Sequence, residues 1–338
     1  MIRIVLGGVL LSVLIVDGCM RGSSSGIHQS PSQTTSESGA ILNNSRVVAP
    51  GASLKKLVDI PITTSRSRTE GPVFDGKGNL YFSELYTSRI YRWSQDGKLS
   101  VFTDKSAGAN GLFFDKDGSL FACAASRRAL VSFDSNGAMT VIADRYNGKR
   151  FNEPNDLFID KKGGIYFSDS YWKTHSEALE LDGEYVFYLT PDRKRVIRVI
   201  DNLIKPNGLS SSPDGSLLYI TDSGERKTYV YSVNNDGSLS NKKLFAPFGI
   251  DGLTVDIEGN VYITSDDITA EGVLVFNARG NLIDTIKVPK FAANVCFGGL
   301  DKQTLYITAG ISLYSIKMRV KGLFKVMVQE NCTKKRRN

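Results

Sequence analysis

A chain of 338 residues with 41% hydrophobic residues has enough apolar content to bury a sizeable core, whether in one large domain or two smaller ones. The formal charge is +7, but Lys334, Lys335, Arg336 and Arg337 supply four of those charges near the end, so the bulk of the chain is only mildly basic and shows no nucleic-acid-binding module. Four scattered cysteines argue against a disulfide framework, and two histidines make zinc a poor choice of metal.

Residues 1–19 place Arg3 before an apolar run from Ile4 to Val16, too short for a comfortable membrane span and suited to an export signal. Val16-Asp17-Gly18-Cys19 resembles a bacterial lipoprotein cleavage box, with Cys19 as the lipidated residue. The chain is therefore expected to be exported, either periplasmic and membrane-anchored through Cys19 or secreted, with an uncleaved anchor as a further alternative. Residues 20–50, rich in Ser, Gly, Thr and Asn, have too little apolar content to offset chain ordering and read as a flexible tether, within which His28 is exposed and idle. The ordered domain is expected over residues 51–325, with 326–338 as a basic solvated tail. Leu54 to Ile62 alternates as a strand would.

From Glu70 onward one pattern recurs. It is clearest in Arg150 to Trp172, where Pro154-Asn155-Asp156 leads into Leu157–Ile159, a charged turn ends in Gly163-Gly164, and Ile165–Phe167 runs into Ser168-Asp169. Two short β-rich runs joined by a Gly-containing turn predict a hairpin. Copies begin at Glu70, Asn110, Asn155, Asn207, Asp251 and Asn294, at intervals of 40 to 52 residues. Each is followed by a further strand pair, such as Arg89–Trp93 with Leu99–Thr103 or Tyr229–Val233 with Lys243–Phe245. Repeats of this length built from short strands predict an all-β, six-bladed β-propeller with four-stranded blades. Leu54–Ile62 is the natural outer strand of the last blade, where it closes the ring and removes an exposed edge.

In a propeller the first strand of each blade lines the central channel, and its leading residue stands at one mouth. That ring reads Glu70, Asn110, Asn155, Asn207, Asp251, Asn294, all acids or primary amides. Such oxygen donors suit a hard cation such as Ca²⁺. The alternative is that Asn and Asp cap turns between blades. A second ring at the ends of the second strands, Glu84, Asp169, Asp222 and Asp266 or Asp267, is read either as ligand-orienting or proton-accepting groups or as strand caps. Between the second and third strands of blade three, Tyr171 to Glu184 forms the longest excursion; Tyr171, Trp172 and His175 could wall the mouth, with His175 a possible acid or base. Cys123 and Cys296 read as small buried hydrophobes.

Over about residues 50–320 the chain resembles the senescence marker protein/gluconolactonase (regucalcin-like) family of six-bladed, calcium-dependent propellers, most closely in the stretches around Asn155 and Asn207. The resemblance implies a metal held by Glu70 of the EGP motif, Asn207 of P-N-G, Asp251 of the DG motif and Asn155 of N-D. It also implies a small-molecule substrate, a lactone or a sugar-like compound, bordered by Asn110, Asn155, Asp169, Trp172, His175 and Asn294. Regucalcin-like relatives carry an arginine two residues before the N-D asparagine, where this chain has Glu153, so gluconolactone itself is not assured as substrate. The function implied is calcium-dependent hydrolysis of lactones, the metal polarising the carbonyl and positioning water. Asp251 is the first candidate for base or nucleophile and Asp222 the second. An exported, non-catalytic binding propeller and a phosphotriesterase-type hydrolase of the same fold are the alternatives.

Overall fold

The computed structural model describes residues 45–62, 64–173, 176–266 and 272–323. The export signal, Cys19, residues 20–44 of the tether, His175, Asp267 and the basic tail lie outside the described residues. Residues 45–50, expected as the end of the tether, are instead ordered: Val47 and Val48 are buried in an apolar cluster and Val48 bridges Met318, so apolar burial starts the domain before residue 51.

Local chemistry sets the hairpins. Asp115, Asp160 and Asp256 each open a tight turn in which one Oδ1 accepts the backbone N–H groups two and four residues on, at 2.8–2.9 Å. The glycines of these turns, Gly118, Gly163 and Gly259, take positive φ of 83°, 90° and 83° that a side chain would resist. Each turn joins an inner strand to a second strand, and both are almost wholly buried, because neighbouring sheets cover their two faces. Ala109–Phe114 and Leu120–Ala124 are buried at every position, whereas the outer strand Leu99–Thr103 is largely half-buried or exposed.

These units assemble as six four-stranded antiparallel sheets, each ordered from the channel outward. The inner strands are Thr69–Phe74, Ala109–Phe114, Glu153–Ile159, Pro206–Ser211, Leu253–Val255 and Ala292–Gly298. The outer strand of blade six is Lys55–Asp59, paired antiparallel with Ser312–Lys317 from the far end of the domain. The sheet is thus a closed six-bladed propeller, with the N-terminal strand completing the last blade. Each joint between neighbouring blades has its own apolar cluster, such as Phe113, Phe121, Leu157, Phe167 and Phe187 between blades two and three. Burying one such side chain fully stabilises the fold by about 1.5–3 kcal/mol.

Two further features aim the channel residues. The pairing register shifts at Glu70/Val73, Ala109/Leu112, Pro154/Leu157, Pro206/Leu209 and Ala292/Asn294, so the inner strands of these five blades bulge where a ring residue sits. Four ring residues are also followed by glycine, and the next blade lies directly on it. A Cβ on Gly71 would stand 2.1 Å from the Asn110 carbonyl oxygen, on Gly111 2.3 Å from Asp156 Oδ1, on Gly208 2.5 Å from the Asp251 carbonyl oxygen and on Gly252 2.1 Å from Asn294 Oδ1. The mouth is therefore as narrow as backbone contact allows. Gly208→Ala is expected to lower unfolding free energy by about 1–3 kcal/mol in urea titration, since a methyl there meets backbone and no movable side chain; a loss below a few tenths would show that the inner strands are free to spread.

Candidate metal centre and active site

The bulges sit at Glu70, Asn110, Asn155 and Asn207, while Asp251 stands just before the inner strand Leu253–Val255 of blade five, which has no bulge; all five residues are buried. Asn207 is the most clearly oriented. Its Nδ2 donates to the Ile250 carbonyl and to Ser223 Oγ, both at 3.1 Å, which leaves Oδ1 pointing away. That oxygen is buried and without a hydrogen-bond partner, as is Glu70 Oε2. The side-chain amides of Asn110 and Asn155 form no hydrogen bonds with described residues. Asn294 differs, because its Oδ1 accepts the Val295 N–H at 2.8 Å and its amide packs on Gly252.

Electrostatics single out the two ring acids. Burial, then the charge of Asp251, push the Glu70 carboxyl well above its ordinary value. Burial likewise raises Asp251 to about 7, against the attraction of Arg68 and contact with the Asn207 amide. Asp156 raises both, which places a third carboxylate beside them. Two unpartnered buried oxygens and acids that resist ionisation together leave buried polar groups that a cation would satisfy. The donors are all oxygen, two carboxylates plus amide carbonyls, so the residues present fit a hard divalent ion. Among the described residues no three His, Cys, Asp or Glu side chains form a metal cluster by themselves. Any site here therefore depends on the amides.

The second ring has a different role. Asp222 accepts the backbone N–H groups of Ile204 and Lys205 at 2.9 Å and of Gly224 at 3.0 Å, so both its oxygens are occupied by loops. Asp169 accepts from Asn152 N at 2.9 Å, and burial raises it to about 8. Glu84 accepts from Thr87 N at 2.9 Å and is also bound by the Arg68 backbone. In these three blades the acid ending the second strand ties down the loop that leads into the inner strand. Asp222 and Asp169 thus stand behind the mouth as positioning groups, and Asp266 pairs with Arg226 at the surface.

Trp172 packs beside the chain segments that enter blades three and four. Its backbone N–H donates to Glu153 Oε2 at 2.6 Å, and Lys205 Nζ lies 4.6 Å from its ring centre while donating to the Tyr171 carbonyl at 3.1 Å. Further along the excursion, Glu177 reaches the buried Arg128 at 3.0 Å and Arg150 at 2.9 Å. A cavity of about 970 Å³ opens at the other end of the channel, among the hairpin turns, lined by Phe113, Phe158, Asp160, Arg193 and Leu323. None of the ring residues borders it. Sequence reasoning passed over Asp156, although an N-D in place of the recurrent N-G marked it, and Arg68, which carried no signal beyond its nearness to Glu70.

Fold and mouth together define a six-bladed β-propeller with an acid-and-amide centre at one end of its channel. Residues 68–311 match the SMP-30/Gluconolactonase/LRE-like region, and the chain belongs to that family. It is 30% identical over 288 residues to a gluconolactonase of Zymomonas mobilis, covering 75% of this chain and 79% of that protein. It is 28% identical over 256 residues to lactonase drp35 of Staphylococcus haemolyticus, covering 68% and 72% respectively. A solved gluconolactonase of Xanthomonas campestris superposes with a TM-score of 0.72 at 32% identity, covering 79% of this chain and 90% of that one. Regucalcin of Agrobacterium tumefaciens, 20% identical with a TM-score of 0.68, shares the fold over 80% of this chain and 95% of its own.

The raised acids give a prediction with a definite sign. Because the folded value of Asp251 lies above its unfolded one, near 4, the contribution of this residue to the stability of the metal-free protein is fully present below that lower value and is lost as pH rises to about 7. Divalent cation needs the ionised acids, so millimolar calcium should stabilise by about 2 kcal/mol or more at pH 8 and much less at pH 5, read as melting temperature. Equal shifts at both pH values would remove Glu70 and Asp251 from the binding site.

Proposed function

We propose that this protein is a calcium-dependent hydrolase of lactones, with its active site at the mouth ringed by Glu70, Asn155, Asn207 and Asp251. The observation that carries the reading is the pair of open buried oxygens, Glu70 Oε2 and Asn207 Oδ1, beside Asp251 in a member of this family. The names of the relatives from Zymomonas and Staphylococcus support lactones as the substrate class.

Calcium bound by these four residues would polarise the lactone carbonyl and stabilise the charge that develops on its oxygen. The chain supplies the rest. Asn110 and Asn155 present unspent amides to the substrate's oxygens. Trp172, backed by Lys205 and Glu153, forms an apolar wall with a polar edge that suits a small cyclic ligand. As water adds to the carbonyl carbon, Asp251 accepts its proton at a carboxyl oxygen; the ring C–O bond then breaks, and the leaving alkoxide recovers a proton to give the hydroxy acid. Glu70 and Asp156 keep the mouth negative, so that the cation is retained there. Asp222, with its oxygens occupied by backbone amides, holds the loop before Asn207 and not the reacting atoms. Residues 1–19 support an exported enzyme, anchored through Cys19 or released.

Two substitutions separate these roles. Asp251→Asn should lower kcat/KM for glucono-δ-lactone by about 10²–10⁴ in calcium, while the melting temperature measured without calcium at pH 8 stays unchanged or rises, since a buried acid becomes neutral. Asp222→Ala should act mainly on stability, costing about 1–3 kcal/mol through orphaned amides. A folded, metal-binding Asp251→Asn protein with full activity would refute the assignment of the base.

A further inference from the structure

Two positions before each ring residue the chain enters the mouth, at Arg68, Gly108, Glu153, Lys205, Gly249 and Ala292. Two of these are basic, and they precede blades one and four, on opposite sides of the ring. Their situations differ. The Lys205 ammonium is committed to the Tyr171 carbonyl and the Trp172 ring. The Arg68 side chain is exposed and makes neither an ion pair nor a hydrogen bond with any described residue. Its guanidinium lies 4.7 Å from the centre of the Phe291 ring, at the entrance to blade six. Its charge acts on Glu70 of blade one and Asp251 of blade five together. Arg68 therefore leans from blade one across blade six, above the two acids, while its backbone is pinned by Glu84.

A guanidinium laid on an aromatic face keeps its edge free, and that edge is a fork of N–H donors matched to a carboxylate. Packing does not account for it, because the side chain is exposed. The two acids below are too few to absorb it once a divalent cation is bound between them. The position, at the rim and not at the floor, suits a group on the substrate remote from the bond that breaks.

We propose that Arg68 is a specificity residue that grips a carboxylate carried outside the lactone ring, so that the preferred substrates are acidic lactones and the products are dicarboxylates. This rests on the lactone-hydrolase reading and names the substrate class within it. Arg68 exchanges no proton in the reaction; it holds the same carboxylate before and after the ring opens.

The test compares D-glucarate with D-gluconate, and D-glucaro-γ-lactone with D-glucono-γ-lactone, pairs that differ by a carboxylate in place of a hydroxymethyl group. Calorimetry on the full protein in excess calcium should show glucarate bound at least tenfold more tightly than gluconate. Arg68→Gln should abolish that preference and Arg68→Lys should keep part of it. The ratio of kcat/KM between the two lactones should fall at least tenfold in Arg68→Gln, through KM. Equal binding of the two acids by the unaltered protein, or a preference that survives Arg68→Gln, would overturn the proposal. If neither lactone is turned over yet the glucarate preference depends on Arg68, the proposal about Arg68 stands and the hydrolase reading falls.

Discussion

Two like charges buried side by side at the end of a narrow channel are the constraint that the rest of this structure serves. Glu70 and Asp251 oppose one another, and Asp156 adds to the repulsion. Such a cluster is destabilising on its own, because charge removed from water costs several kcal/mol per ion unless it is paired. The propeller tolerates it because six apolar blade joints stabilise the fold independently of the mouth. The glycines let neighbouring inner strands meet at backbone distance, which keeps the acids close together. The acids are left with protons or a cation as counterweight, which makes the mouth a chemical site and not only a structural seam.

Much of this was written in the repeat. A run of acid or amide, then glycine, then an apolar strand recurs in four of the six blades because they need the same thing at the same place: a polar side chain at the channel and no Cβ beneath the next blade. Strand number, ring closure by Lys55–Asp59 and the membership of the inner ring could be read for that reason. What could not be read was the direction of individual polar groups. In Thr221-Asp222-Ser223 the carboxylate looks as available as that of Asp251, yet Ile204, Lys205 and Gly224 fill it. Asn294 is as good a ring member by position as Asn207, yet its oxygen is taken by the next residue's N–H. Arg68 was silent because its partners, Phe291 and Asp251, lie in other blades far along the chain.

The second-strand acids are the less visible half of the design. Glu84, Asp169 and Asp222, at the ends of the second strands of blades one, three and four, each collect a backbone N–H from the segment that enters their own blade's inner strand, from Arg68, Asn152 and Lys205 respectively. Ser83 and Thr221 add hydroxyl donors to the carbonyls of Asn110 and Asp251 in the following blade. These blades thereby fix the entry of a channel residue, their own or that of the following blade. The precision of the mouth is shared around the ring instead of residing in any one loop.

Closure of the ring has a consequence for how the molecule is made. Lys55 pairs with Ser315, so the first of the described strands finds its partner only when the last blade has been synthesised. Until then blade six lacks its outer edge and blade one has no neighbour on one side. The contacts that finish the fold are thus among the most distant in sequence, and assembly waits on a late, slow search of the kind that high contact order imposes. A chain halted before Ser312 would carry every metal-binding residue named here and still have no closed ring to hold them together.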